Sequence, residues 1–322
     1  MKVLVRPAMC AMVFAAVTGA ACARREPRPE LVPGPDPSAR LRIQVGEDRN
    51  AVRVIPLEEY VRGSVLSESA APSGDPVVAG QMLQVQSIVA RTYALANRGR
   101  HATQGFDLCS TTHCQLFQPS RLVTSRWVVA ATEAVRVTRG RVLWHAGAAA
   151  VAVFHADCGG YTSTPRAAWG GTDRAYLNGF RDDGPADGVH ATWTYAVESL
   201  RLREALNTDH RTRVGEWLDG ITVLDRDASG RAETVALNGE NERLVRGDIL
   251  RQVVTGRLGA RTLRSTLFAV RRAGSSLVFD GRGHGHGVGL CQVGALACLR
   301  AGASPDDVLR RYYPGITLHV VD

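Results

Sequence analysis

Residues 56–99 read PLEEYVRGSVLSESAAPSGDPVVAGQMLQVQSIVARTYALANRG and predict two successive helices. Pro56 suits the first position of a helix, where a backbone N–H is not needed, and apolar residues then recur at helical spacing as far as Glu68. After the loop AAPSGDP, a second apolar stripe continues towards Gly99, a residue type that commonly ends helices. We expect the two helices to form an antiparallel pair, which places Glu68 near the connecting loop.

Strand patterns surround this helix pair. Apolar and polar residues alternate in LRIQV and AVRVI before it, and RVLWHAGAAAVAVFHA after it predicts a hairpin around Gly147. GITVLDRD, AETVALNG, LFAVRR and SLVFDG predict later strands, with short helices such as GDILRQVV among them. The last helix carries a capping-box pattern from Ser304 to Asp307, with Pro305 at its first position. The mixture predicts an α+β fold, a mostly antiparallel sheet with packed helices.

The N-terminal residues predict export. Lys2 and Arg6 precede an apolar run that ends in small residues, which is the pattern of a secretory signal over residues 1–23. Lipidation of Cys22 competes with simple cleavage, although Gly19 stands where a lipoprotein signal usually carries Leu or Val. The run is shorter than the ~20 residues of a membrane span. We therefore expect a periplasmic or cell-envelope protein that reaches a membrane only through an N-terminal lipid anchor.

Residues 24–40 are rich in proline and charge and have no apolar period, which is typical of a semi-rigid linker. The segment that follows, residues 41–322, exceeds the ~100–200 residues of a usual domain. We expect this segment to form one large domain or two fused lobes.

The charge balance is basic, with 39 Lys and Arg against 31 Asp and Glu. Such a balance can indicate nucleic-acid binding, but the arginines are spread along the chain, and an exported chain meets cell-wall polymer and anionic lipid first. We therefore expect no nucleic-acid partner.

Of the seven cysteines, Cys10 and Cys22 lie in the leader and five remain. An odd number in an oxidising compartment leaves at least one cysteine unpaired or bound to a metal. Cys298 lies on an apolar helix face, and we expect it to be a buried core thiol.

Residues 101–117, HATQGFDLCSTTHCQLF, allow two interpretations. Spacing alone favours a disulfide between Cys109 and Cys114 in an exported protein. His101 and His113 supply two further ligands, and Cys₂His₂ is a standard closed zinc shell. From the spacing, both interpretations stay open.

Residues 281–295, GRGHGHGVGLCQVGA, form a glycine-rich block. On a strand, His284 and His286 would share one face and could chelate a metal. The glycines instead indicate unusual backbone dihedrals or close approach to a ligand. The block lacks the Lys-Ser/Thr ending of a phosphate-binding loop and the spacing of a dinucleotide fold, and a purely structural turn is the alternative.

Six blocks in a fixed order resemble the SpoIID/LytB family of peptidoglycan-acting proteins from sporulation and cell-wall remodelling. They are EYVRGSVLSE, IVARTYAL, DLCSTTHCQLF, FHADCGGYT, GRGHGHGVGLCQVGA and RYYPGI. The resemblance covers nearly all of residues 41–321. The chain departs from the family at the second helix, which typically reads EALKAQAVAARTYA and here reads QMLQVQSIVARTYA.

The resemblance implies a SpoIID-like fold and a lytic transglycosylase with Glu68 as its catalytic residue. Such an enzyme cleaves the bond between N-acetylmuramic acid and N-acetylglucosamine, especially in peptide-poor glycan strands, and leaves a 1,6-anhydro end. One carboxyl is sufficient, because the sugar's own 6-hydroxyl replaces the water that a hydrolase activates with a second carboxylate. Glu58 and Glu59 are interpreted as ordinary acids of a first helical turn.

The same blocks supply candidate substrate contacts. These are Arg91, Tyr93, His155, His286 and Gln292. We interpret the glycine-rich block as a wall of the glycan groove, in which His286 and Gln292 donate hydrogen bonds to sugar.

The resemblance also implies a structural zinc, since some members bind zinc through the same set of residues, His101, Cys109, His113 and Cys114. Cys158 and Cys291 replace serines that many members carry in the SGG and MSQ versions of these blocks. Because both positions change together, we predict a disulfide between them.

Two rival functions are open. The first is a non-catalytic module that binds the cell wall and stimulates an amidase, as some relatives are thought to do. The second is a zinc-dependent hydrolase at the Cys/His cluster, but a four-ligand shell leaves no position for a reactive water. The expected partners are peptidoglycan glycan strands and, under the first rival, a cell-wall amidase.

Overall fold

The structure is a computed structural model that describes residues 39–46, 51–69, 74–182 and 191–321. The predicted signal at 1–23 and all but the last two residues of the predicted linker at 24–40 lie outside these residues. Within the described part, no helix combines the length and the apolar character that a membrane crossing requires.

The described residues form nine α-helices and fourteen strands. The helices are α1 Leu57–Glu68, α2 Pro76–Ala96, α3 Arg121–Thr124, α4 Val128–Val137, α5 Pro165–Trp169, α6 Ser199–Leu206, α7 Gly247–Leu258, α8 Gln292–Arg300 and α9 Pro305–Tyr312. The strands are β1 Arg40–Gln44, β2 Val52–Pro56, β3 Leu108–Cys109, β4 Arg141–His145, β5 Ala148–Ala149, β6 Phe154–His155, β7 Trp193–Glu198, β8 Leu218–Arg226, β9 Ala232–Gly239, β10 Arg243–Arg246, β11 Phe268–Ala273, β12 Ser276–Gly281, β13 Leu290–Cys291 and β14 Thr317–Val320.

The predicted α+β class is confirmed, but the strands divide among several small sheets. Within the described residues there are five sheets of two or three strands, ordered β2-β1-β3, β14-β4-β5, β13-β6, β10-β9-β8 and β11-β12-β7. All of the strand pairs are antiparallel except β1 with β3 and β6 with β13. The capping box of α9 forms as predicted, between Ser304 and Asp307.

The two predicted helices at the start of the domain are α1 and α2. Pro56 ends β2 and is the N-cap of α1, one residue before the position that the sequence suggests. Asp75 caps α2, because its carboxylate accepts the N–H of Val77 at 2.8 Å and that of Val78 at 3.4 Å. Pro76 then takes the first helical position.

Helix α2 is the centre of the fold. It packs against α1 and α4 on one side and against α8 and α9 on another, so its side chains enter two apolar clusters. The first cluster holds residues of β1, α1 and β3, and the second holds residues of β13, α8 and α9. A third cluster draws its buried residues from the stretch between Trp193 and Phe279. The two clusters that share α2 position the candidate site.

Candidate functional site

Glu68 is the last residue of α1, and its carboxyl is largely withdrawn from solvent. Its Oε1 accepts a 2.6 Å hydrogen bond from the backbone N–H of Leu116. Desolvation by burial raises the pKa of Glu68, and the Leu116 N–H opposes the rise without cancelling it. No other carboxylate of the described residues contributes to this shift. Glu68 is therefore a lone carboxyl that is inclined to hold its proton.

The segment 116–118 lies along the last turns of α1 and fixes this geometry. Besides the Leu116 contact, the N–H of Gln118 donates to the Ser67 hydroxyl at 3.0 Å. Between these contacts, Phe117 is buried and stacks on Tyr60 at 5.4 Å between ring centroids. A side chain at Gly63 would collide with the Phe117 ring, so glycine is needed there for the segment to approach the helix.

The four predicted zinc ligands lie together in space, and the last of them in the chain, Cys114, precedes Leu116 by two residues. The ligand atoms of His101, Cys109, His113 and Cys114 all lie within 4.8 Å of one another. His101 Nε2 is 3.3 Å from Cys114 Sγ, and His113 Nδ1 is 3.6 Å from Cys114 Sγ and 3.7 Å from Cys109 Sγ. With zinc bonds of ~2.3 Å to sulfur and ~2.0–2.1 Å to nitrogen, a tetrahedron places N and S ligands about 3.6 Å apart. The four residues therefore fit a closed zinc shell.

The two thiols of the cluster share one hydrogen bond. It lowers the pKa of Cys109, which favours the thiolate that binds zinc, and it raises the pKa of Cys114. The other ring nitrogen of His101, Nδ1, lies 2.6 Å from Gln104 Oε1, an arrangement that leaves Nε2 free to ligate. Both cysteines are free thiols in the structure. The alternative disulfide between Cys109 and Cys114 is thus not formed.

Gln292 joins the distant C-terminal part of the chain to Glu68. As the first residue of α8, it donates from Nε2 to the backbone carbonyl of Glu68 at 3.2 Å and to Gln86 Oε1 at 3.3 Å. Sequence reasoning placed Gln292 against substrate, whereas the structure places its amide against the end of α1. Its amide therefore ties the end of α1 to α2 and to the start of α8.

His155 and His286 lie beside each other, with ring centroids 5.4 Å apart. His155 is buried, so it does not face a groove as predicted, and burial lowers its pKa. His286 accepts the Val288 N–H at its Nδ1, and burial, with help from nearby arginines, lowers its pKa to about 3. The other face of His286 meets Trp169, whose side chain is 39% exposed and 4.8 Å away. Sequence reasoning missed Trp169, because it lies in an irregular stretch without a recognisable period.

Arg91 and Tyr93 are not placed as substrate contacts either. Arg91 is 0% exposed, and its guanidinium makes two hydrogen bonds to the Glu58 carboxylate, at 2.8 and 2.7 Å. The interpretation of Glu58 as an ordinary surface acid is therefore corrected: it is the counter-ion of a buried arginine. Tyr93 is buried beside the Cys/His cluster, its hydroxyl accepts from Arg100 at 3.3 Å, and burial raises its pKa to about 12.

The glycine-rich block has unusual backbone dihedrals, as its sequence predicts. Gly287 and Gly289 have φ of 84° and 70°. A side chain at Gly287 would collide with the guanidinium of Arg231, and one at Gly289 with the carbonyl of Val153. Both close approaches help the block to pack against the strand region around β6.

The blocks that carry Cys158 and Cys291 converge, as expected for the predicted disulfide. The N–H of Cys158 donates to Cys291 Sγ at 3.2 Å. Both residues are nevertheless free thiols, so the predicted bridge is not present in this structure. Cys298, predicted as a core thiol, is partly buried against the second cluster.

Comparison with known proteins accords with this arrangement. Residues 46–145 match the SpoIID family of stage II sporulation protein, and residues 187–289 match a domain of unknown function, DUF8618. The first match includes Glu68 and the four Cys/His residues. The second begins just before the third apolar cluster and includes most of the glycine-rich block.

Whole-chain relatives extend the match. Stage II sporulation protein D of Bacillus subtilis (strain 168) is 26% identical over 84% of this chain and 77% of the relative. The protein of the same name from Bacillus amyloliquefaciens is 26% identical over 99% of this chain and 93% of the relative. The amidase enhancer of Bacillus subtilis (strain 168) is 25% identical over 74% of this chain but only 38% of the relative. Together with the SpoIID match around Glu68, these relatives confirm the resemblance of the chain to the SpoIID family.

Proposed function

We propose that the chain is a lytic transglycosylase that cleaves peptidoglycan glycan strands between N-acetylmuramic acid and N-acetylglucosamine. Its similarity to the SpoIID family and to an amidase enhancer supports a cell-wall related role. The finer assignment rests on one observation, the lone, desolvated carboxyl of Glu68 at the end of α1. A substrate of this kind lies outside the cytoplasm, in keeping with the leader predicted over residues 1–23.

The chemistry needs one group that is first an acid and then a base. The raised pKa favours the protonated form of Glu68 at the start, and its proton passes to the glycosidic oxygen as the bond from that oxygen to C1 of the muramic acid breaks. The resulting carboxylate takes the proton of the C6 hydroxyl, whose oxygen bonds to C1 and closes the 1,6-anhydro ring. The Leu116 N–H occupies Oε1, which leaves Oε2 for the proton. No water and no second carboxylate take part, unlike in hydrolases.

The zinc site has a structural role in this proposal. His101, Cys109, His113 and Cys114 would hold the metal, which supplies a cross-link rather than a reactive centre. Cys114 and Leu116 are two residues apart, so the cross-link holds the N–H that orients Glu68. A zinc-dependent hydrolase is disfavoured, because four protein ligands fill the shell and leave no place for a reactive water.

A second candidate is a non-catalytic wall module that stimulates an amidase. The similarity to the amidase enhancer favours it. Under this candidate the chain binds glycan and an amidase partner, and Glu68 serves as a binding residue.

Product analysis separates these functions. Purified protein is incubated with peptide-free glycan strands, and the soluble products are analysed by mass spectrometry. We expect 1,6-anhydro ends, which lie one water below the mass of hydrolysed ends. Reducing ends would indicate a hydrolase, and an intact strand, with faster cleavage only after an amidase and peptide-bearing wall are added, would indicate the enhancer.

A further inference from the structure

A second cluster of metal-binding residue types lies at the second apolar cluster, whereas the Cys/His cluster lies at the first. The parallel pairing of β6 with β13 sets Cys291 directly beside His155, and Cys158 follows three residues after the histidine. These three residues are 4%, 3% and 1% exposed in chain order. Their ligand atoms all lie within 4.8 Å of one another.

The histidine is oriented as a ligand. His155 Nδ1 lies 3.1 Å from the carbonyl oxygen of Val288, and a carbonyl can only accept, so Nδ1 carries the hydrogen. The lone pair is then on Nε2, which is buried and has no hydrogen-bond partner among the described atoms. Buried polar atoms are rarely left without a partner. A backbone carbonyl on one ring nitrogen with the other nitrogen free is the usual arrangement of a metal-bound histidine.

Both sulfurs accept backbone hydrogen bonds that stabilise a thiolate, and Cys158 Sγ also donates to the buried Asp182 carboxylate at 3.5 Å, a proton that a bound metal would displace. Cys291 Sγ accepts the N–H of Cys158 at 3.2 Å and that of Gly294, in the first turn of α8, at 3.4 Å. Gly159 and Gly160 adopt φ of 73° and 105°, which turns the chain so that the Gly160 N–H points back to Cys158 Sγ at 3.3 Å. Hydrogen bonds to sulfur favour its charged form, and a helix N-terminus does the same.

Arg231 adds a compensating charge. It is buried, it donates from Nη2 to the carbonyl of Cys158, and it lies close enough to both cysteines to interact with their charge. Two thiolates would exceed this single positive charge. A divalent cation would remove that excess.

We infer that His155 Nε2, Cys158 Sγ and Cys291 Sγ form a second site for a soft divalent cation, zinc, separate from the Cys₂His₂ cluster. Two thiolates and an imidazole are a ligand set that suits zinc. Zinc-bound N and S atoms lie about 3.6–3.8 Å apart, so side-chain rotations that shorten the contacts by up to about 1 Å complete the site. On binding, each thiol releases its proton to solvent and each sulfur donates an electron pair to the metal.

The site would tie β6 to the start of α8. The residue after Cys291 is Gln292, whose amide contacts the backbone of Glu68, so the metal would steady the end of α1 through the start of α8. The inference itself rests on the three ligands and not on the transglycosylase activity.

The test counts zinc. Full-length protein exported to the periplasm is purified without chelator, supplied with Zn²⁺ as the only added metal, and examined by native mass spectrometry and elemental analysis. We expect two zinc ions per chain in the wild type and one in Cys158→Ser, in Cys291→Ser and in Cys109→Ser. Cys298→Ser is the matched control, a partly buried thiol of the same core, and should keep two ions. Glu68→Gln should also keep two, which separates this inference from the catalytic proposal.

If a cysteine variant does not fold, measurements on the wild-type protein alone still test the inference. Peptide mapping that finds a disulfide between Cys158 and Cys291, or a stoichiometry of one zinc with both thiols free to alkylate, would show that the second site does not exist. Protection of the four cysteines of the two sites from alkylation until a chelator removes two zinc ions would support it.

Discussion

The backbone N–H of Leu116 donates to Oε1 of Glu68 at 2.6 Å, and Leu116 follows two residues after Cys114, a member of the Cys/His cluster. The acid of the proposed reaction and the proposed structural metal are therefore linked through three consecutive residues. The link predicts that removing the metal disturbs the carboxyl through the fold rather than through the chemistry.

Metal removal should lower stability and activity together. Binding energy at a structural zinc site contributes to folding, so a chelator or Cys109→Ser should lower the melting temperature and reduce glycan cleavage in parallel. Cys298→Ser lies outside the cluster and should change neither. Loss of activity at an unchanged melting temperature would instead indicate a catalytic zinc.

The Arg91–Glu58 pair should matter for stability and not for substrate binding. Removing one partner leaves a buried charge uncompensated, which typically costs about 3–5 kcal/mol, so Glu58→Gln should lower the free energy of unfolding in urea by about 3 kcal/mol. Glu59→Gln, an exposed neighbour on the same helix, should change it by less than about 0.5 kcal/mol. If Glu58→Gln unfolds like the wild type but binds glycan poorly, the pair belongs to the substrate site.

Stability should depend on pH through Glu68. Because burial raises its pKa, the contribution of this carboxyl to the free energy of unfolding is complete below the ordinary glutamate pKa and is lost as pH rises through the raised value. Glu68→Gln cannot ionise, so the variant should gain stability relative to the wild type as pH rises across this window. Cleavage by the wild type, which needs the protonated acid, should fall over the same window. Parallel stability curves for the two proteins would contradict the assigned shift.

Gln292→Ala should slow the reaction without abolishing it. The substitution removes the hydrogen bonds to the Glu68 carbonyl and to Gln86, worth about 1 kcal/mol, which corresponds to roughly a fivefold loss in rate. A positioning role predicts that kcat falls while KM stays nearly constant. A rise in KM at constant kcat would return Gln292 to the set of substrate contacts.

Several features could be predicted from sequence because they are local. The apolar stripes of α1 and α2 and the capping box of α9 depend on residues close together in the chain. The resemblance of the ordered blocks to a known family predicted that the four Cys/His residues form one cluster. The division of the described strands among five small sheets could not be predicted in the same way, because β3, β5, β6 and β13 have two residues each and are too short to show alternation. Their pairing is decided by tertiary contacts.

The substrate contacts were harder to predict because burial is not local. Helical periodicity shows one apolar face, but α2 is covered on several sides, and Arg91 points inward to a carboxylate 33 residues earlier in the chain. An acid in a first helical turn has the same sequence pattern whether it is solvated or paired, so Glu58 looked ordinary. Gln292 reaches a backbone carbonyl, which has no sequence signature.

The most direct test of the catalytic assignment compares Glu68→Gln with Glu59→Gln on peptide-free glycan strands. An amide in place of the Glu68 carboxyl keeps the shape of the side chain but has no acidic proton. We therefore expect Glu68→Gln to yield no 1,6-anhydro product above a few per cent of the wild type while it retains wild-type glycan binding and fold. Glu59→Gln should cleave at the wild-type rate. Anhydro product from Glu68→Gln at a substantial fraction of the wild-type rate would show that Glu68 is not the acid and base of the reaction.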